Sequence, residues 1–395
     1  MSLLPVSEAQ ARLLGLARPL GVEEVPVASC SGRWLARDIL ARRDQPWADL
    51  SAMDGYAVRA GEWPGPWRVA SSFSAAGSAM PPPLAEGTAC RIFTGAPLPP
   101  GADAVLIQEN AAISDDMLRG MDTPLAPGRH VRPAGSDFQS GDALLKAGSR
   151  LNAAKIALAI LAGYGVLPVG KRPTVAILST GNELVAPGEP TPSGRLPASN
   201  APMLAALLST VPCEVADLGI VADDLDAMTR AFARAAGADI ILSTGGASVG
   251  DHDLVRPAFA AAGGALDFWK IAMRPGKPLM AGKLGDSVFL GLPGNPVSAF
   301  VTAMLFLLPL VRHMGGAASP LPPSDHARLA APLPATAERD DYLRAFHAED
   351  GIVSVTSQDS AATAAMAGAD CLIMRPAHSP PAQAGDQVRI LPIPQ

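Results

Sequence analysis

The sequence predicts a multi-domain α/β protein: a central parallel-sheet domain, a β-rich region ahead of it and a small β-barrel behind it. Three observations carry this reading. Between residues 171 and 316, short apolar runs alternate with helical stretches, the pattern of a parallel sheet covered on both faces. Residues 45–136 are punctuated by Pro81-Pro82-Pro83, Pro99-Pro100-Gly101 and Ala126-Pro127-Gly128, which suits β modules joined by tight turns. Beyond a proline-rich linker at 320–323, the remaining apolar runs are all strand-like.

In chain order, residues 7–16 read as a short helix with Ser7 at its N-cap, and Asn152 opens a helix over 153–161 that stops at Gly163 and Gly165. Apolar strands follow at 174–178, 214–218, 239–242 and 287–290, with helices at 201–208, 224–236 and from 300 to 308. The C-terminal strands are expected at 342–347, 352–356, 371–375 and 388–391. Two strand ends carry nearly the same pentapeptide, Ile177-Leu178-Ser179-Thr180-Gly181 and Ile241-Leu242-Ser243-Thr244-Gly245. Such carboxyl ends are where open α/β sheets bind ligands.

Composition narrows the function. A length of 395 residues accommodates two to four domains at about 100–200 residues each. Net charge is −6, with no long basic run, which argues against nucleic acid as the main partner. Cys30, Cys90, Cys213 and Cys371 are scattered and form no CxxC pair, so zinc-ribbon and thioredoxin chemistry lack support. With no disulfide framework, a reducing cytoplasm is the expected compartment. The first ten residues lack the apolar stretch of a signal peptide. The longest apolar run, residues 297–311, contains Pro309 and is shorter than the roughly 18 residues a spanning helix needs. The expectation is a soluble protein with no membrane contact.

The residues that could carry chemistry cluster at the strand ends. The loop 243–250 combines Ser243, Gly245, Gly246, Ser248 and Gly250; glycines let backbone approach a ligand, and hydroxyls with free N–H groups make an anion nest. It matches neither a Walker A loop nor a GxGxxG fingerprint. Glu183, Asp223, Asp224, Asp251 and Asp253 follow strand ends nearby. An anion nest ringed by acids suits a hard cation, and Mg²⁺ takes one or two carboxylates while substrate phosphates complete its shell. For Asp223 and Asp224 the competing role is capping the next helix. Lys270, Arg274 and Lys277 form a cationic arm stiffened by Pro275, Gly276 and Pro278. Joining two anions needs such an arm, since unit charges 4 Å apart interact by about 1 kcal/mol in water and about 4 at an effective dielectric near 20. Leu292-Pro293-Gly294-Asn295-Pro296 is a rigid loop at the next strand end.

Seven motifs in order resemble the molybdopterin molybdenumtransferase family, which includes MoeA and the E domain of gephyrin. They are Ser-Ala-Met-Asp-Gly-Tyr-Ala at 51–57, Thr-Gly-Ala-Pro at 94–97, Gly-Ser-Asp at 135–137, Ser-Thr-Gly-Asn-Glu-Leu at 179–184, Gly-Gly-Ala-Ser-Val-Gly-Asp-His-Asp at 245–253, Arg-Pro-Gly-Lys-Pro at 274–278 and Leu-Pro-Gly-Asn-Pro-Val-Ser at 292–298. The resemblance implies an elongated helical domain (1–44 and 137–170), a β-rich insertion (45–136), a molybdopterin-binding α/β domain (171–316) and the C-terminal β-barrel (320–395). It also implies a homodimer whose active site lies between the α/β domain of one subunit and front residues of the other. Site roles carry over to Asp54, Thr94, Asp137, Glu183, Asp223, Asp253, Lys270, Arg274, Pro293, Pro296, Arg344 and Ser360. Two departures stand out: Arg274 replaces a frequent lysine, and Ser360 lacks flanking glycines.

The implied reaction joins molybdate to adenylylated molybdopterin with release of AMP and a requirement for Mg²⁺. On this reading Glu183 with Asp251 or Asp253 holds the metal, the 243–250 loop cradles phosphate, and Lys270 and Arg274 steer molybdate. Contacts with molybdopterin adenylyltransferase and with chaperones of molybdenum enzymes belong to the same expectation. Two rivals are a molybdopterin adenylyltransferase, which resembles the central domain alone, and a non-catalytic scaffold of the gephyrin type.

Overall fold

The computed structural model of the protein describes residues 3–121, 123–246 and 254–394. Its centre is a sheet of β1 (Thr174–Thr180), β2 (Glu214–Val221), β3 (Ile240–Thr244), β4 (Ala265–Trp269), β5 (Met280–Leu284) and β6 (Ser287–Leu292). The strand order is β2-β1-β3-β6-β5-β4. The first four are mutually parallel, and β5 and β4 extend them antiparallel. Those last two were not expected from the sequence. Each mixes polar residues or glycine into a five-residue run, Asp267 in β4 and Gly282 with Lys283 in β5.

Alternation along the parallel strands sends side chains into two cores. Val175, Ile177, Ile240, Leu242, Val288 and Leu290 pack against helix α1 (Asn200–Leu208) and the long helix that follows β6. Ala176, Leu178, Ile241 and Phe289 face α2 (Leu225–Ala235) and α3 (Val255–Ala261). In the second core Phe232, Phe259 and Phe289 meet with ring centroids 4.2–5.5 Å apart. Each such buried ring contributes about 1.5–3 kcal/mol over leaving it exposed. With both faces covered, the ligand-accessible part of the sheet is its edge at the strand ends.

The apolar run at 297–311 proves to be part of a helix from Pro296 to Met314, long and apolar enough to span a membrane by length and composition alone. It is instead the core helix of the domain, with 83% of its apolar window buried. Pro309 does not break it. Residues 303–307 widen into a π-turn, and the Leu305 carbonyl, which a proline at i+4 cannot serve, accepts a bond from Gln10 Nε2 at 2.8 Å.

Gln10 lies on the N-terminal helix Val6–Gly15. Ser7 is not its N-cap as expected: Pro5 holds that position and no side chain caps the turn. Asn152 does cap the helix Ala153–Leu161, its side chain accepting from the Lys155 N–H at 3.0 Å. Val22–Pro26 pairs with Val166–Gly170, and Ile39–Leu40 with Ala143–Leu145. The chain between these pairings forms a separate six-stranded sheet that includes Gly55–Val58 and Thr88–Ile92.

At the C-terminus β7 (Asp325–Arg328), β8 (Asp340–Ala348), β9 (Gly351–Ser354), β10 (Cys371–Arg375) and β11 (Gln387–Pro392) surround a core of Leu329, Ala345, Ile352, Ile373 and Ile390. Pairing runs β9-β8-β10-β11-β7, and a bridge from Leu329 to Ile352 returns the path to β9. The strand Met273–Arg274 adds to the free side of β8. That pairing fixes the C-terminal sheet beside the strand ends of the central one.

Candidate active site

β1, β3 and β6 end along one edge, and there the loops that follow them line a cleft of ≈ 980 Å³. The β1 loop contributes Thr180, Gly181 and Glu183, the β3 loop Gly245 and Gly246, and the β6 loop Pro293, Gly294 and Asn295. Asn200, the first residue of α1, ties two of these loops together, donating from Nδ2 to Thr244 Oγ1 and to the Gly294 carbonyl, both at 2.7 Å. Pro296 lines an adjoining hollow of ≈ 440 Å³ with Leu184, Leu196 and Pro197.

The acids sort themselves by geometry. Asp224 caps α2, accepting from the Ala227 N–H at 2.8 Å, and so takes the structural role. Asp223 faces the cleft. Its Oδ2 accepts the Asn182 N–H at 2.9 Å, and Asn182 Oδ1 in return accepts the Asp223 N–H at 3.1 Å. This clamp aligns the β1 and β2 loops. Glu183 lies over Gly181: a Cβ at position 181 would sit 2.6 Å from Glu183 Oε2, and φ there is +147°. The carboxylate end could swing aside, but the positive φ itself favours glycine at this turn.

Arg274, Lys277 and Arg339 line the same cleft. Arg274 is anchored 3.6 Å from Asp341 while remaining 56% exposed, so its charge is oriented without being withdrawn from solvent. Lys270 is not among the residues lining this cleft; its ammonium sits 4.3 Å from the ring centroid of Trp269. Ser243 also stands apart from its expected role. It is fully buried in β3, and its hydroxyl has no hydrogen-bond partner among the described residues. The expected positions Ser248, Gly250, Asp251 and Asp253 lie outside the described residues.

The far wall comes from the C-terminal sheet as residues 358–360. Ser360 reaches the cleft and accepts a bond from Asn295 Nδ2 at 2.8 Å. Arg344 does not line the cleft as expected of a substrate-binding residue: it is 1% exposed. Its guanidinium lies beneath the loop, donating to the carbonyls of Asp359 at 2.9 Å and Ala362 at 3.0 Å. Gln358 grips the Arg344 peptide from both sides, accepting its N–H at 3.1 Å and donating to its carbonyl at 2.9 Å. A buried cation without an ion pair is costly unless its hydrogen bonds are met; here the loop carbonyls satisfy the two terminal nitrogens, while Nε has no partner among the described residues.

Asp54 and Thr94 form a unit elsewhere on the surface. One Asp54 oxygen accepts the Thr94 N–H at 2.7 Å and the Thr94 hydroxyl at 2.8 Å. These bonds, the backbone one foremost, hold the Asp54 carboxyl below its ordinary range. Asp137 is exposed, with its N–H donating to the Gln45 carbonyl at 2.9 Å. None of the three lines the cleft within one chain.

Several cleft residues escaped the sequence reading: Arg339, Gln358, Asp359 and Ser298. Arg339 and Gln358 sit in stretches without glycine-rich punctuation, and only the pairing of Met273–Arg274 with β8 brings them here. Asn295 was visible as part of a loop but not as the donor that reaches Ser360.

Three family descriptions match successive parts of the chain: MoeA N-terminal region (domain I and II) over residues 4–163, probable molybdopterin binding domain over 176–313, and MoeA C-terminal region (domain IV) over 326–393. The molybdopterin molybdenumtransferase of Haemophilus influenzae is 34% identical, covering 99% of this chain and 98% of its own. Molybdopterin molybdenumtransferase 2 of Mycobacterium tuberculosis is also 34% identical, covering 96% of each. Among solved structures, the molybdopterin biosynthesis MoeA protein of Pyrococcus horikoshii is similar with a TM-score of 0.83 at 26% identity, over 99% of this chain and 100% of that one.

Proposed function

The chain belongs to the molybdopterin molybdenumtransferase family, a transferase of molybdenum cofactor biosynthesis, and from that premise we propose how its cleft inserts the metal. Adenylylated molybdopterin and molybdate are the substrates, and AMP leaves. The observation that carries this is the mixture of charges lining one cleft: Glu183, Asp223 and Asp359 with Arg274, Lys277 and Arg339. A site for one anion alone has no use for three acids, and a site for a bare cation has no use for three positive groups.

Mg²⁺ fits the acidic side. Glu183 accepts no hydrogen bond through its carboxylate among the described residues and lies against Gly181; hard oxygen donors of this kind suit that ion. Glu183 with Asp251 and Asp253 would hold it, where it would offset phosphate charge. The β3 loop, with Gly245 and Gly246, supplies backbone close to the phosphate. Arg274 and Lys277 draw the second anion against its repulsion from the first. The protein thus positions and neutralises, while the dithiolene of the substrate captures the metal. Pro293 and Pro296 keep the β6 loop rigid around the ligand.

Asp54, Thr94 and Asp137 enter this scheme from a second subunit. We place them, with their fixed carboxylate and exposed surface, as the opposite wall of the cleft in a homodimer. The division into 1–44 with 137–170, 45–136, 171–316 and 320–395 belongs to the same reading, as do a cytoplasmic location and contacts with molybdopterin adenylyltransferase and molybdenum-enzyme chaperones.

Exchanging Lys277 for Met tests the division of labour. The KM for molybdate rises about tenfold, the loss of one charge contact at an intermediate dielectric, while the affinity for adenylylated molybdopterin changes little. Equal loss of both would remove the cationic arm from its assigned role.

A further inference from the structure

Away from the cleft, three ligand-type side chains converge on the C-terminal sheet. His347 lies near the end of β8, Asp370 in the turn before β10, and Cys371 is the first residue of β10. Their donor atoms all lie within 4.8 Å of one another. Sheet register explains the meeting. Ala345 pairs with Cys371, and the Asp370 N–H donates to the Ala345 carbonyl at 3.0 Å, so His347, two residues further along β8, comes to lie against the turn.

Both carboxylate oxygens of Asp370 face His347. Asp370 accepts the His347 backbone N–H at 3.0 Å through one oxygen, and the His347 ring Nδ1 stands 2.9 Å from the other. His347 and Asp370 are 61% and 38% exposed in their side chains, and Cys371 is fully buried beneath them. Solvent therefore reaches the trio from the imidazole side, with the sulfur at its floor. Burial, and then the Asp370 carboxylate, push the Cys371 thiol up to about 12, so without a metal it carries its proton.

We propose that His347 Nδ1, an Asp370 carboxylate oxygen and Cys371 Sγ form a binding site for a Zn²⁺-class divalent ion, with a fourth position open to water. One nitrogen, one oxygen and one sulfur donor match the ligand range of Zn²⁺. Bonds of about 2.0–2.3 Å draw the donors in from their present spacing, within 4.8 Å of one another. On binding, the thiol proton leaves to solvent and the thiolate takes its place on the metal. The imidazole offers the Nδ1 lone pair by carrying its own proton on Nε2. The ion would staple β8 to β10 one residue from the Arg344–Leu372 pair, the same stretch that holds the far wall of the cleft.

Co²⁺ is the probe, titrated into the reduced, chelator-treated full-length protein. A thiolate-to-cobalt charge-transfer band should rise to a 1:1 endpoint and fall when Zn²⁺ is added. His347→Ala, at an exposed position, should weaken Co²⁺ binding about tenfold or more with the melting temperature and molybdenum insertion unchanged. Cys371→Ser should remove the charge-transfer band. Absence of the band, or a band of equal affinity in His347→Ala, would overturn the proposal. This test stands apart from the cleft, so its failure leaves the reading of molybdenum insertion untouched.

Discussion

The two walls of the cleft are built on opposite plans. The near wall is backbone: loops at the ends of β1, β3 and β6 hold their shape because Gly245 and Gly246 permit contacts that a Cβ would forbid, and Gly181 a positive φ. The far wall is suspended: residues 358–360 hang from the Arg344 guanidinium, the Gln358 amide and the Asn295 contact to Ser360. The first plan fails when an atom is added, the second when a side chain is removed. A site made of both can keep its glycine-loop side rigid while its other side depends on the docking of a separate sheet.

The sharpest way to break the near wall is therefore a single methyl. Gly181→Ala places a Cβ against the Glu183 carboxylate, and turnover should fall by about a hundredfold, the scale at which displaced ligand support costs metal affinity or activity. Excess Mg²⁺ should recover part of the loss. Gly237→Ala, where a Cβ meets nothing within 4 Å, serves as the control and should leave activity intact. Titrating Mg²⁺ against the rate in both variants checks this.

The far wall calls for deletion. Arg344→Ala removes two charge-assisted hydrogen bonds, each worth about 1.5–3 kcal/mol. Turnover should drop about tenfold, with a lowered melting temperature. Arg344→Lys should not restore it, because an ammonium cannot hold two carbonyls with the planar fork of a guanidinium. Steady-state kinetics and thermal melting of the pair decide the point; recovery with Lys would mean that charge alone matters.

A smaller effect is expected from Gln358→Ala. It leaves the Arg344 N–H and carbonyl without the amide, a loss of about 1 kcal/mol. The loop should loosen, raising KM about fivefold with little change in kcat. A fall in kcat alone would show that Gln358 acts on the reacting atoms rather than on the loop.

The near wall was also the legible one. Residues 174–178 and 239–242 read as strands because their apolar runs end in Ser-Thr-Gly, and the loop chemistry was written in the same few letters. Position 224 carried its capping role in sequence, one residue before α2. The far wall could not be read this way: Arg344 and the loop it holds are 14–18 residues apart, and nothing local marks an arginine as buried. The added strands β4 and β5 were missed for a related reason, since tertiary packing overrides the weak strand preference of Gly282 and Lys283. Pro309 misled in the other direction: the Leu305 carbonyl it cannot serve is satisfied by a side chain 295 residues from Leu305.

The most direct test of the whole account supplies purified protein with adenylylated molybdopterin, molybdate and Mg²⁺ and follows AMP. The account predicts AMP release that depends on both molybdate and Mg²⁺, with molybdenum recovered on the pterin. Failure to release AMP, with ATP-dependent adenylylation of molybdopterin in its place, would contradict it.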